Sequence, residues 1–125
     1  MLYILPDQDL DLSFLYDIAD GSNEFIIESI DMFLLHTPEM LQTITTAMAE
    51  KDWTVASHAS HKLNHNLGFF GMPISQALME EIELMAKTGT PDPELLLLKF
   101  NEVKAIIDTN IITITKIKAD LENRD

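Results

Sequence analysis

Apolar positions recur at three- and four-residue steps along most of the chain, the spacing of one helical face. From about residue 23 to 50 the stripe is Ile26, Ile30, Phe33, Leu34, Leu41, Ile44 and Met48. Pro38 lies inside it, and the missing N–H predicts a kink near residues 34–38, with two separate helices as the alternative. Ser22 can cap this helix, with Glu24 in its first turn. A shorter stripe, Leu10, Phe14, Leu15 and Ile18, predicts a helix over Leu10 to Ile18, closed by the turn Asp20-Gly21-Ser22. Residues 1–8 read as a lead-in segment.

Lys51-Asp52 makes a tight corner, and Asp52 can cap a helix running to about Phe70. Gly71 is placed to end that helix in a left-handed conformation. Pro73 then suits the first turn of a helix over about 73–87, with the stripe Ile74, Ala77, Leu78, Ile82 and Met85. Residues 88–93, TGTPDP, read as a loop. The last helix spans about 93–121, with Leu96, Phe100, Val103, Ile107, Ile111, Ile114 and Leu121 as its seam. Within it, Ile111 to Lys118 (IITITKIK) is rich in β-branched residues and alternates partly like a strand. The three- and four-residue steps continue on both sides, so it is assigned to the helix. Short connections make neighbours antiparallel. The expected fold is all-α: one domain over residues 1–125, an up-down four-helix bundle with a short extra N-terminal helix.

The third helix has an unusual polar face. At about 100° per residue, Thr54, Ser57, His58, His61, Asn64, His65 and Gly68 fall within roughly 60° of His61. Ala56, Ala59, Leu63, Leu67 and Phe70 fall opposite. A surface helix needs a wet face, but it does not need three imidazoles there.

Composition narrows what such a face can serve. The 125 residues are 46% apolar and include no cysteine, so disulfides and thiolate sites are excluded. With 21 acidic and 8 basic residues the net charge is −13. That argues against nucleic acid and against an anionic membrane surface as partners. No run of about 18 apolar residues predicts a membrane span, and the N-terminus is a poor signal peptide. A cytoplasmic protein is the simplest expectation. The opening Met1 and the polar ending LENRD fit a free-standing chain, with a fragment of a larger sensor kinase as the alternative.

An exposed neutral imidazole is a nucleophile at one ring nitrogen near pH 7, and can take and pass on a phosphoryl group. A metal site is the competing chemistry, because His61 and His65 have the i, i+4 spacing of a helical zinc pair. No adjacent Glu and no cysteine accompany them, and a third ligand is not evident, so no metal site is assigned. No phosphate-binding glycine loop or nucleophile elbow occurs, so the chain carries no ATP site of its own and is not expected to be an enzyme.

The run Ser60-His61-Lys62-Leu63-Asn64-His65-Asn66, followed by Gly71, resembles the signature of histidine phosphotransfer (HPt) domains, roughly Ala-His-x-Leu-Lys-Gly-Ser-x-x-x-x-Gly. His61, Leu63 and Gly71 match. Asn64 stands where that family has lysine, and His65 where it has glycine. The helix order is similar over about the whole chain. The resemblance implies that His61 accepts a phosphoryl group from one receiver-domain aspartate and passes it to another. It implies as partners a response-regulator receiver and a hybrid sensor histidine kinase, with Mg²⁺ on the receiver, no cofactor on this chain, and a monomer. Asn64 and His65, the nearest neighbours of His61, are expected to touch the phosphoryl group. Ser57, His58, Lys62, Gly68 and Phe69 are expected to meet the partner, Ser57 and Gly68 by leaving the surface low. The alternative function is a non-phosphorylated module that regulates a receiver or kinase by binding.

Overall fold

The computed structural model describes residues 4–5, 9–88 and 92–123. Most of the lead-in segment, residues 89–91 of the loop and residues 124–125 of the tail lie outside it. The elements in order are β1 (Ile4–Leu5), β2 (Leu10–Asp11), α1 (Ser13–Ala19), α2 (Asn23–Ala49), α3 (Trp53–Phe69), α4 (Pro73–Lys87) and α5 (Pro93–Glu122). Helix α3 packs against α2 and α4, and α5 closes the ring against α4 and α2. This is the expected up-down four-helix bundle, with one short helix before it. The strands add a minimal antiparallel pairing, Ile4 with Asp11 and Leu5 with Leu10.

The caps fall where side-chain chemistry allows. Ser22 accepts the Phe25 N–H, Asp52 accepts the Val55 N–H, and Asp92 accepts those of Glu94 and Leu95. Each satisfies a donor that the first helical turn leaves free. Pro73 and Pro93 occupy first-turn positions. Helix α2 runs unbroken through Pro38, so the two-helix alternative is set aside. The β-branched run Ile111 to Lys118 is helical throughout. There Ile114 is buried, and Ile111 and Ile117 pack against the core.

Two burial patterns differ from expectation. Helix α1 starts at Ser13 rather than Leu10, because Leu10 pairs with Leu5 and Asp11 turns the chain. The Asp11 carboxylate accepts both the N–H and the hydroxyl of Ser13, at 2.9 and 2.6 Å. The core takes Leu10, Leu12, Leu15 and Ala19, while Phe14 and Ile18 are exposed. In α4 the inward residues are Ser75, Met79, Ile82, Glu83 and Ala86. Ile74 and Ala77, expected on the core stripe, face outward. An apolar template could not find this face, since two of its five members are polar.

Asp9 helps to fasten the stretch ahead of α1 to the bundle. The buried Asp9 carboxylate accepts the N–H groups of Ile74 and Ser75 at 2.7 and 2.6 Å. Its carbonyl accepts the side-chain amide of buried Asn110, on α5, at 2.8 Å. Helix α4 is thus capped from 65 positions away rather than by its own preceding residue, Met72.

Gly71 joins α3 to α4 at φ +65°, the left-handed conformation expected. Its carbonyl also accepts the Asp11 N–H at 2.8 Å. A Cβ at this position would overlap the Asp11 carbonyl, so the site excludes side chains twice, by conformation and by space.

Candidate functional site

The α3–α4 hairpin sets the site. Both helices rise by the same amount per residue, so positions equally far from the turn meet at equal height. His61 and Glu83 are equidistant from Met72, the buried centre of that turn. So are Gly68 and Gln76, and these also meet.

The His61 side chain is 55% exposed, whereas that of Glu83 is 9% exposed. His61 Nδ1 lies 3.1 and 3.2 Å from the two Glu83 carboxylate oxygens. Lys87, one turn further along α4, places Nζ 3.1 Å from Glu83 Oε2. Burial pushes the Glu83 carboxyl up, but the hydrogen bonds and positive charges of Lys87 and His61 outweigh it and hold the group below its ordinary value. Glu83 is therefore an ionised, acceptor-only partner, and Nδ1 must carry the ring proton it receives. Nε2 has no hydrogen-bond partner among the described residues. In the neutral ring Nε2 keeps the lone pair, so the exposed side chain presents a nucleophile of fixed tautomer.

His65 touches His61 edge-on, with ring centroids 4.5 Å apart. Both rings are exposed. On its far side His65 borders an open groove of about 380 Å³ toward α2, shared with His36, Glu39, Met40, Lys62 and Asn66. Asn64 is half-buried, and its Oδ1 is enclosed without a partner among the described residues. Lys62 and His58 are exposed on the α2 side, where they line a shallow groove with Met40 and Thr43. Orientation of His61 comes from Glu83, not from His58.

Two expected partner-facing residues, Ser57 and Gly68, are placed differently. Ser57 is buried, with 4% exposure. Helix α3 packs on two sides, and the small Ser57 and Ser60 are covered within the bundle. The polar arc is thus narrower than the wheel suggests. Gly68 does not leave the surface low, because the Gln76 side chain lies over it. Phe69 is half-buried, packing edge-on against Phe14 at 5.7 Å and tilted against Phe70 at 5.6 Å.

The residues missed in the sequence are Glu83 and Lys87. Counting outward from the α3–α4 turn would have paired Glu83 with His61, and i, i+4 spacing would then have added Lys87. Among the described residues, no three His, Asp or Glu side chains converge as a metal ion requires. Nor is any helix among them long and apolar enough to cross a membrane.

The family model described as "Hpt domain" matches residues 28–121. Among solved structures, the chain is similar to the HPT domain of the Hpt sensor hybrid histidine kinase from Shewanella, at 25% identity and TM-score 0.62, with 91% of each chain covered. No curated protein matches it.

Proposed function

The chain belongs to the Hpt domain family, which supports a phosphotransfer-type role, and from that premise we propose that it carries a phosphoryl group on Nε2 of His61 between receiver-domain aspartates. The family implies receiver domains and histidine kinases as the proteins it meets. The observation that carries the reading is the pairing of His61 Nδ1 with Glu83 on an otherwise exposed ring.

The step balances without a base. The Nε2 lone pair attacks the phosphorus of an aspartyl phosphate. A P–N bond forms, the P–O bond to the aspartate breaks, and that carboxylate leaves with the electron pair. The ring becomes a phosphoimidazolium that retains its Nδ1 proton. Glu83 stabilises that positive charge through a hydrogen bond already made before reaction. Onward transfer is the same step reversed toward a second aspartate. The bundle contributes a rigid nucleophile and no cofactor of its own.

His65 favours a second reading. A ring beside His61 narrows the approach of a receiver, as would suit a module that binds without reacting. One experiment separates the two. The protein is incubated with acetyl phosphate, and separately with a phosphorylated receiver. Label lost in acid, kept in base and absent from His61→Gln is expected. Receiver binding without label from either donor would overturn the carrier reading in favour of the binding module.

A further inference from the structure

Phosphorylation at Nε2 would put a dianion beside a ring whose other nitrogen is already held by a carboxylate, in a chain of net charge −13. Some cation must offset it. Position 64, one turn along α3 and facing the same way as His61, holds a neutral Asn with its Oδ1 enclosed. Lys62 points about 100° away around α3. It lines the grooves toward α2, on the side of α3 away from Glu83. Lys51 lies ten positions back at the foot of the helix, roughly 15 Å along its axis. His65 touches the ring but competes for the space that an incoming receiver needs.

Lys87 is placed differently from all of these. Its Nζ shares Glu83 Oε2 with His61 Nδ1, so the ammonium and the reactive ring sit on one carboxylate oxygen. The side chain is 57% exposed. Its flexible four-carbon stem lets the ammonium turn toward Nε2, and its three N–H donors allow one to stay on Glu83 while another reaches a phosphoryl oxygen. It occupies the last turn of α4, where a cation is also favoured by the helix dipole.

We propose that Lys87, from α4, is the phosphoryl-contacting cation of this domain, supplying across the hairpin the charge that position 64 does not. This rests on phosphoryl acceptance by His61. Lys87 bridges Glu83 and the phosphoryl group, so it acts directly and not only by holding Glu83.

The test is the rate of label uptake from acetyl phosphate by wild type, Lys87→Gln, Lys87→Arg and Lys104→Gln, a lysine of α5 paired with Asp108, with helicity checked by circular dichroism. Lys87→Gln should lower the rate about tenfold, the scale of one charge-assisted hydrogen bond. Lys87→Arg should recover it to within about threefold, and Lys104→Gln should stay within about twofold of wild type. The discriminating variant is Lys87→Gln in a Glu83→Gln background. A direct contact predicts a further loss of about fivefold or more there. A residue that only positions Glu83 predicts none, and that outcome would overturn the proposal. So would equal losses for Lys87→Gln and Lys104→Gln. Absence of label on wild type would instead remove the His61 reading on which this one stands, a result readable before any Lys87 variant is compared.

Discussion

The Glu83 carboxylate accepts the Nδ1 proton of His61 across the α3–α4 interface, 22 positions apart in the chain. One is nearly enclosed and the other half in solvent. The enclosed partner fixes the proton and the exposed ring offers the lone pair. Neither side chain alone would specify which nitrogen is left free.

Glu83→Gln tests that division. A side-chain amide can present either its oxygen or its NH₂ group, so it no longer dictates the tautomer. In ¹⁵N spectra, wild-type His61 should show a protonated Nδ1 and a bare Nε2, and the variant a mixture. A neutral hydrogen bond replaces a charge-assisted one, a difference of about 1.4 kcal/mol, so label uptake should fall about tenfold. An unchanged tautomer with an unchanged rate would remove Glu83 from the site.

The same carboxylate predicts a pH dependence. Its folded value is lowered, despite burial, by Lys87 and His61. A lowered carboxyl contributes stability that is fully present above its ordinary value of 4.5 and lost as pH falls through the folded value. Thermal melts of wild type and Glu83→Gln should therefore differ most near neutral pH. The gap should close below pH 4.5, as the carboxylate takes up its proton. A gap that widened toward acid would contradict the assigned direction.

Asp9 should matter to stability out of proportion to its place near the chain's start. Its carboxylate caps α4 through two short bonds while buried, and its carbonyl holds Asn110. Losing a helix cap costs about 1–2 kcal/mol, and burying the freed N–H groups adds to that. Asp9→Ala should lower urea stability by at least about 2 kcal/mol. Ser22→Ala, which removes an exposed cap on α2, should cost about 0.5–1 kcal/mol. Equal costs would mean that Asp9 does not cap α4 as described.

Much of this fold was legible because its punctuation is local. Ser22, Asp52, Gly71, Pro73 and Asp92-Pro93 mark helix ends by their own chemistry. What each helix turns inward was less legible where polar residues occupy the inner face. Ser75 and Glu83 put the apolar stripe of α4 in the wrong orientation, and a helical wheel places Ser57 on the wet face although α3 is covered on two sides. His61 could be singled out from its helix alone. Its partner could not, because Glu83 becomes a neighbour only through the hairpin. Asp9, 65 positions from Ile74, leaves no local trace at all.

His65 is where a substitution should be most informative about docking. Its ring lies edge-on to His61 and borders the groove toward α2. A χ rotation away from His61 would turn the ring toward that groove and clear the approach to Nε2. Such a displacement from a preferred rotamer costs about 0.5–1.5 kcal/mol, equivalent to roughly two- to tenfold in rate. His65→Ala should therefore speed transfer from a phosphorylated receiver by no more than about tenfold. Uptake from acetyl phosphate, too small to need the ring moved, should change less than about twofold. Alanine is the better probe than glycine, since glycine inside α3 would weaken the helix by about 1 kcal/mol and blur the comparison. A rise of a hundredfold or more with the receiver would identify His65 as a barrier rather than a movable neighbour. A fall with both donors would mean that the ring takes part in holding the phosphoryl group.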